Sequence, residues 1–357
     1  MSFPRIESVK DFPRPCLYEE TIGNGNFSTV HRIRGSKIAL KAVSKLQVSK
    51  LRKGREVIIE KKALLRLGSH HRNIVSFIST WSDSEFCFIA TGLCSKGELW
   101  EMCRRCGEPE RRAKFFFRKI MDGLSFVHRM GIIHRDLKAE NIFITADMVV
   151  KIGDFGSSFD IFNANISCSG EETSFEHYVG TPNFIAPEAL ENKENDELSD
   201  IWSLGCLFYQ VLVGIAPFAA GSEYLVFVRM RAGDLKFPPR GLTNNAIDLV
   251  RMIVQHDRAL RPSIDEIACH PFFREAPDTL LPYTSTDDEI KRISREDSIE
   301  INDELILHFH DEIDRDRLRL ISTVREWEKQ SQPGSGTASF DHLDEHNNPT
   351  KLSSQLL

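Results

Sequence analysis

Two short motifs constrain this chain more than any other feature of its sequence. The stretch His-Arg-Asp-Leu-Lys-Ala-Glu-Asn spans residues 134–141, and Asp154-Phe155-Gly156 begins 13 residues after its last position. Asp136 can accept a proton from a hydroxyl group and aim the oxygen as a nucleophile, while Lys138 can neutralise a migrating phosphoryl group. Asn141 and Asp154 offer amide and carboxylate oxygens, which suit Mg²⁺. The two motifs together predict transfer of a magnesium-bound phosphoryl group to a hydroxyl.

A glycine-rich stretch nearer the amino terminus is a second candidate for phosphate binding. Its residues are Ile22, Gly23, Asn24, Gly25, Asn26, Phe27, Ser28, Thr29 and Val30. Glycines let a turn bring its backbone amides close to phosphate, although an ordinary hairpin turn explains the stretch equally well when it is taken alone. A dinucleotide-binding turn is excluded because a strand pattern follows, and a P-loop is excluded because no Gly-Lys-Ser/Thr follows.

Lys41 and Glu60 form a third candidate group. Lys41 lies eleven residues after Val30 in a strand pattern, so its ammonium could reach phosphates under the glycine turn. Glu60 lies in the next helical pattern and could hold Lys41 by an ion pair. Taken singly, a solvated strand lysine and an exposed helix glutamate remain the alternatives.

The composition indicates a soluble globular protein in a reducing compartment. The 357 residues are 41% hydrophobic and 27% charged with a net charge of −6, which is typical of a soluble globular protein and argues against a nucleic-acid binder. Of eight cysteines, only Cys103 and Cys106 form a Cys-x-x-Cys pair, so free thiols are favoured over a metal site. The first ten residues lack an apolar stretch, so we expect no signal peptide and a cytoplasmic location, with the nucleus also open.

The patterning divides the chain into three parts. We predict an irregular arm over residues 1–15, a domain over 16–273 and a tail over 274–357. Strand patterns cover 18–22, 29–34, 37–43, 74–80 and 86–91, with a helix over 57–67, and later helices are predicted over 113–130, 199–213 and 245–273. In the tail, 304–330 has helical periodicity and the residues after it have a disordered composition. The tail helix could pack on the domain, bind a partner or stay exposed.

The ordered motifs resemble the eukaryotic protein kinase family over residues 16–273. Ala186-Pro187-Glu188 resembles the end of its activation segment, Asp200 begins a stretch similar to its central helix, and Arg261 stands where the family pairs an arginine with that glutamate. The resemblance implies an α+β, bilobal protein kinase fold. A five-stranded antiparallel sheet with one main helix would form the N-lobe (16–94), and a mostly helical C-lobe would follow (95–273).

The resemblance also implies ATP and Mg²⁺ as ligands and assigns roles to residues. Asp136, Lys138, Lys41 and Glu60 would be catalytic, and Asn141 and Asp154 would hold the metal. The glycine-rich stretch from Ile22 to Val30 would cover the phosphates. Further contacts with ATP would come from Ala39, Lys41, Thr91, Leu93, Cys94, Glu98, Glu140, Asn141, Phe143 and Asp154. The apolar members of this set are equally explained as plain core residues.

Within the family, four stretches are similar to the 3-phosphoinositide-dependent protein kinase branch of the AGC group. They lie at 25–30, 96–99, 131–138 and 220–227. Within the family, Lys138 and the stretch Gly180-Thr181-Pro182-Asn183-Phe184 suggest Ser/Thr rather than Tyr specificity. The branch implies protein substrates that are other AGC kinases, whose hydrophobic motif would dock in an N-lobe pocket. The matching pocket positions are Lys45, Val48, Val57 and Lys61, which ordinary surface lysines and core valines explain nearly as well.

Three departures from the branch qualify this interpretation. His177 replaces the serine that the branch phosphorylates. Either the activation segment is ordered without a phosphate, or Thr173 or Ser174 carries the phosphate instead. The alternative for Thr173 and Ser174 is that they are plain loop residues. Ala139 stands at a position where proline is common, which we expect to be tolerated. The tail pattern lacks the strands of a pleckstrin-homology domain, so we expect no direct membrane anchor.

A kinase-like scaffold that binds partners without turnover is the alternative function. The complete set of Lys41, Glu60, Asp136, Asn141 and Asp154 favours an enzyme, because a scaffold needs none of that chemistry.

Overall fold

A five-stranded antiparallel sheet forms the N-lobe. Its strands are β1 (Tyr18–Asn24), β2 (Ser28–Ile33), β3 (Ile38–Ser44), β4 (Phe77–Ser82) and β5 (Phe86–Gly92), in the spatial order β1-β2-β3-β5-β4. Gly23 pairs with Val30, Val30 with Lys41, and Lys41 with Ile89, so these four residues form one row across the sheet. Directly paired residues in a sheet point their side chains to the same face. The register therefore brings Lys41 and the glycine-rich hairpin to one region.

Two helices follow β3 in this lobe. Helix α1 (Lys45–Leu51) begins at Ser44, whose hydroxyl accepts a hydrogen bond from the Gln47 amide, and ends at Arg52 in the left-handed region with φ of 55°. Helix α2 (Gly54–Leu67) begins three residues before the predicted 57–67. Its buried face carries Glu60 among the apolar side chains of Ala63, Leu64 and Leu67. Helix α2 therefore holds a carboxylate where an amphipathic helix normally buries only apolar groups.

The C-lobe is mostly helical, and four short strands lie between its second and third helices. Its elements in chain order are α3 (Leu99–Cys103), α4 (Glu110–Arg129), β6 (Ile132–Ile133), β7 (Ile142–Ile144), β8 (Val150–Ile152), β9 (Phe159–Asp160), α5 (Pro187–Glu191), α6 (Glu197–Val213), α7 (Glu223–Arg231), α8 (Asn244–Ile253) and α9 (Ile264–Ala268). β6 pairs with β9 and β7 with β8, both antiparallel. Of the predicted site residues, Asp136, Lys138 and Asn141 lie between β6 and β7, and Asp154 lies between β8 and β9.

Helix α6 is the central element of this lobe. An Asp196–Ser199 capping box starts it, Gly214 ends it with φ of 84°, and every residue from Ser199 to Val213 is buried. A helix that is buried on all sides lies inside a core rather than on its surface. Phe208 of α6 stacks on Phe117 of α4 with ring centroids 3.7 Å apart. The α+β, two-lobed architecture predicted from the sequence is confirmed.

The predicted strand over 74–80 and the predicted helix over 245–273 also have the wrong bounds. The strand predicted over 74–80 begins only at Phe77, because Ile74 instead forms an isolated bridge with Ile152 of β8. The helix predicted over 245–273 is interrupted after α8. A 3-10 turn (Arg258–Leu260), helix α9 and a second 3-10 turn (Pro271–Phe273) follow in its place.

The computed structural model describes residues 18–104, 107–163, 182–191, 195–238 and 241–277. All of them belong to one compact unit, Met1–Asp314. The predictions for the arm, the tail helix over 304–330, and Thr173, Ser174 and His177 lie outside the described residues. Among the helices of the described part, none is both long and apolar enough to cross a membrane.

Candidate active site

Asp136 lies in the loop after β6, where two neighbours in sequence contact its carboxylate. Lys138 Nζ lies 2.9 Å from Asp136 Oδ2. Asn141 Nδ2 donates to the Asp136 carbonyl at 2.7 Å and to Oδ2 at 3.0 Å. Because both bonds use the amide nitrogen of Asn141, its amide oxygen is left for a different partner.

These contacts determine the charge of the Asp136 carboxyl. Burial alone would raise its pKa, but the Lys138 ammonium, the hydrogen bonds from Lys138 and Asn141 and the charge of His134 together hold the pKa below its ordinary value. Asp136 is therefore ionised throughout the neutral range, as an acceptor for a hydroxyl proton must be.

The backbone of the same loop is held by Asp200 of α6. Asp200 is completely buried, and its Oδ2 and Oδ1 accept hydrogen bonds from the amides of His134 and Arg135, both at 2.8 Å. His128 Nε2 lies 2.9 Å from Oδ2. Arg135 has φ of 65°, a conformation that costs a non-glycine residue free energy unless its surroundings enforce it. Asp200 was predicted as part of a helix motif, but its anchoring role was not predicted, because the loop that it holds lies 65 and 66 residues away in sequence.

The side chain of Arg135 joins this loop to the segment that follows Asp154. Its Nε donates to the Ser157 carbonyl at 2.6 Å, and its Nη2 donates to the Ser158 carbonyl at 3.4 Å. Burial lowers the pKa of the guanidinium to about 10, with the Asp200 carboxylate opposing that shift and Arg55 of α2 adding to it. Arg135 thus retains its charge at neutral pH while it crosslinks the two motifs.

Asp154 follows β8 and also adopts a left-handed conformation, with φ of 55°. Its side chain is exposed, whereas the side chain of the neighbouring Phe155 is completely buried in the hydrophobic core and anchors the turn there. His134 Nε2 lies 3.1 Å from the carbonyl of Gly153, and its ring centroid lies 5.0 Å from that of Phe155, so the two motifs contact each other directly. The carboxylate of Asp154 lies close enough to act electrostatically on Lys41.

Lys41 of β3 and Glu60 of α2 form the ion pair that the sequence predicted. Lys41 Nζ lies 2.7 and 2.8 Å from the two carboxylate oxygens of Glu60, which is only 7% exposed. Burial works to lower the pKa of Lys41, but the charges of Glu60 and Asp154 outweigh it and raise the pKa above its ordinary value. The ammonium is therefore a fixed positive charge beside the Asp154 carboxylate.

The glycine-rich stretch forms the β1–β2 hairpin, which the sequence allowed as one alternative. Its tip closes with a hydrogen bond of 2.7 Å from the Gly25 amide to the Ser28 carbonyl. The predicted residues Ile22, Gly23 and Asn24 lie on β1, Asn26 and Phe27 lie in the turn, and Ser28, Thr29 and Val30 lie on β2. The shared row with Lys41 supports the phosphate-binding interpretation over that of an ordinary hairpin.

The remaining predicted ATP contacts come from both lobes. Ala39 is buried on β3 and Thr91 lies on β5, opposite Ala39 in the register. Leu93 follows β5, and its amide donates to the Lys37 carbonyl at 2.8 Å. Phe143 of β7 forms an isolated bridge with Glu98. Cys94 is half-buried next to Leu93, and burial raises the pKa of its thiol to about 11, so the thiol is protonated at neutral pH.

Two acids lie beside the catalytic loop. Burial raises the pKa of Glu98, and the nearby charges of Glu140 and Glu101 raise it further, while Lys138 opposes them. Glu140 lies in the 3-10 turn Ala139–Asn141 and accepts hydrogen bonds from Gln210 Nε2 at 3.4 and 3.3 Å. These contacts give this side of the site a negative potential.

The donor set fits a magnesium ion that a nucleotide helps to bind. Asn141 and Asp154 supply two hard oxygen donors, and Mg²⁺ commonly takes one or two protein ligands and completes its shell with phosphate and water. Within the described ranges, no group of three or more His, Cys, Asp or Glu side chains could hold a metal by itself.

The family model for the protein kinase domain matches residues 17–273. The serine/threonine-protein kinase ksg1 of Schizosaccharomyces pombe is 34% identical over 285 residues, which cover 76% of this chain and 47% of the relative. The 3-phosphoinositide-dependent protein kinase 1 of Arabidopsis thaliana is 33% identical over 264 residues, which cover 70% of this chain and 53% of the relative. The protein of the same name from Homo sapiens is 32% identical over 309 residues, with 80% and 54% covered. The chain spans about half the length of these curated relatives.

Proposed function

The chain belongs to the protein kinase family, and from that premise we propose that it is an ATP-dependent serine/threonine protein kinase that phosphorylates activation segments of other AGC kinases. The observation that carries this proposal is the arrangement of the ionised Asp136 near Lys138 and Asn141, and of Asp154 near the Lys41–Glu60 pair. These charges suit the transfer of a phosphoryl group.

Phosphoryl transfer asks a protein mainly to position its reactants and to neutralise charge. In our proposal, Lys41 binds the α- and β-phosphates and Glu60 keeps it in place. Asp136 accepts the proton of the substrate hydroxyl, and Lys138, whose ammonium already lies 2.9 Å from that carboxylate, neutralises the γ-phosphate. Mg²⁺ held by Asn141 and Asp154 would neutralise further phosphate charge.

The substrate class is supported by similarity and by the surface between α1 and α2. The names of the similar proteins describe serine/threonine and phosphoinositide-dependent kinases. Val48 and Val57 are only partly covered, Lys61 is exposed, and α1 buries none of its residues. We propose that this surface receives an apolar, acidic hydrophobic-motif segment of the substrate kinase, with Lys45 and Lys61 facing its charges.

A kinase assay on the full chain tests the activity. Incubation with Mg-ATP and an AGC activation-segment peptide should incorporate phosphate on serine or threonine, and Asp154→Ala should abolish it. Asp147→Ala changes an exposed aspartate in the β7–β8 turn and should leave the rate unchanged. Nucleotide binding without any turnover by the unchanged chain would instead support the scaffold alternative.

Docking needs its own experiment. A phenylalanine-containing hydrophobic-motif peptide should raise the rate towards a short substrate peptide, and Val57→Gln should abolish that stimulation. Ile58→Gln is the matched control, because Ile58 is the next residue on α2 and is 50% exposed. Equal loss in both variants would contradict docking at this surface.

We further propose that the kinase acts in the cytoplasm and that it could also enter the nucleus. The five cysteines described by the structure, Cys87, Cys94, Cys103, Cys206 and Cys269, are free thiols, which suits a reducing compartment. Microscopy of a fluorescent fusion would test the location, and a secretory pattern would overturn it.

A further inference from the structure

Gln210 connects the central helix α6 to the catalytic loop through both ends of its side-chain amide. It is only 2% exposed. Its Oε1 accepts a hydrogen bond of 3.0 Å from the backbone amide of Ala139, and its Nε2 faces both oxygens of Glu140. A buried amide whose two ends contact adjacent residues of one turn fixes that turn in position and in rotation.

The hydrogen bond from Ala139 depends on which residue occupies this position. Ala139 is completely buried and opens the 3-10 turn Ala139–Asn141, and Lys138 before it is extended with φ of −158° and ψ of 167°. Proline is favoured at the first position of a helical turn and after an extended residue, so this backbone would accept a proline at position 139. Proline has no N–H, however, and its ring would occupy the space in front of Gln210 Oε1. A residue with a backbone N–H, here Ala139, is therefore required for this contact.

The turn that Gln210 holds lies between two residues with proposed roles in the reaction. Lys138 immediately precedes it, and Asn141 is its last residue. Both side chains contact the Asp136 carboxylate, at 2.9 and 3.0 Å. A shift of the turn would therefore move the neutralising ammonium and the metal-binding amide together, relative to the base.

We propose that Gln210 is a positioning residue of the catalytic loop, which acts through the Ala139 N–H to align Lys138 and Asn141 with Asp136. This inference rests on the proposed kinase activity. Gln210 itself touches none of the reacting groups, so we expect its substitution to change kcat, the rate constant of the enzyme–substrate complex. A purely structural residue would change the amount of folded enzyme without such an effect.

A double-mutant cycle on the full chain tests this role. Gln210→Ala and Ala139→Pro should each lower kcat about tenfold, since small misplacements of catalytic groups are costly, while thermal unfolding shows that each variant is folded at the assay temperature. The double variant should be no slower than Ala139→Pro alone, because the alanine removes the oxygen that the proline ring meets. Gln255→Ala, at a half-buried glutamine that donates to the Arg251 carbonyl in its own segment, should leave kcat unchanged.

The possible outcomes are distinct. If the two effects on kcat multiply in the double variant, the residues act independently and the proposal is wrong. The proposal is also wrong if kcat of Gln210→Ala stays within about twofold of that of the unchanged chain. So small a change would mean that Lys138 and Asn141 had moved by far less than 1 Å. If Gln210→Ala does not fold, the kcat of Ala139→Pro tests the proposal by itself, because the backbone geometry at Ala139 is already compatible with proline. Inactivity of the unchanged chain would instead count against the proposed function.

Discussion

Arg261 holds both carboxylate oxygens of Glu188, with Nη1 2.6 Å from Oε1 and Nη2 2.7 Å from Oε2. The pair ties the start of α5 to the segment after α8 and lies almost entirely out of water. Burial would raise the pKa of Glu188, but the hydrogen bonds and the charge of Arg261 hold it below its ordinary value. This pairing was expected from the resemblance alone, and the structure shows that it is bidentate and buried.

Breaking this pair should destabilise the protein strongly. Arg261→Ala leaves the Glu188 charge buried and uncompensated, so we expect a loss of about 3–5 kcal/mol in the free energy of unfolding. The control is Arg104→Ala, which breaks the Arg104–Glu101 pair, whose side chains are 48% and 54% exposed; we expect a loss of less than about 1 kcal/mol. Urea unfolding of both variants measures the difference, and similar losses would contradict the expected contribution of burial.

Removing the Lys138 ammonium should shift the pH dependence of catalysis. Lys138 is the main influence that opposes burial and lowers the pKa of Asp136, so Lys138→Met should raise that pKa. Since the base must be ionised, the acid limb of kcat/KM then moves to higher pH. Lys138→Arg keeps the charge and should leave the limb near its original position. An unchanged limb in the Met variant would show that Asp136 does not titrate in this profile.

His128 should protect the fold against acid. Burial raises the pKa of Asp200, but the hydrogen bond and charge of His128, followed by His134, lower it below its ordinary value. A carboxyl with a lowered folded pKa adds stability above its unfolded pKa, and this stability is lost as the pH falls through the folded pKa. In His128→Leu the folded pKa rises, so the loss begins at higher pH. Urea midpoints measured between neutral and acid pH test this, with His256→Leu, at an exposed histidine, as control.

A side chain at position 153 should weaken the binding of ATP. A Cβ at this position would lie 2.7 Å from Val75 Cγ2 and 2.9 Å from Phe143 Cε2, so Gly153→Ala must displace these two side chains, and Phe143 is a predicted ATP contact. We expect KM for ATP to rise about tenfold, which corresponds to overpacking of 1–3 kcal/mol. Adding Phe143→Leu should recover part of the loss. Gly54→Ala, whose Cβ would meet Val48 at an ordinary 3.8 Å, should not change KM.

The sequence predicted those parts of the site whose partners are close along the chain or belong to an ordered motif. Asp136, Lys138 and Asn141 lie within six residues, and their mutual contacts follow from that spacing. The sheet was predictable because its strands are rich in β-branched and aromatic residues and the glycine turn separates two of them. Helix α1 was missed because it buries none of its residues, so its sequence lacks a stable apolar face.

Contacts between distant segments could not be predicted in the same way. Asp200 and His134 are 66 residues apart, and Gln210 and Ala139 are 71 apart. Nothing local distinguishes a buried acid or amide that anchors a loop from one that is bonded within its own helix. The start of the strand predicted over 74–80 was wrong for a similar reason. The apolar side chain of Ile74 extended the strand pattern, but Ile74 forms a bridge with the distant Ile152 and is not part of β4.

The left-handed backbone at Asp154 has a consequence for how this chain can change over evolutionary time. Asparagine and glycine adopt that conformation with less strain than aspartate, so losing the carboxylate there would leave folding intact or improve it. Selection for a foldable chain therefore gives no protection to this acid, and only selection for turnover retains it. A gene duplicate relieved of catalysis could lose the aspartate early and persist as a well-folded, inactive descendant.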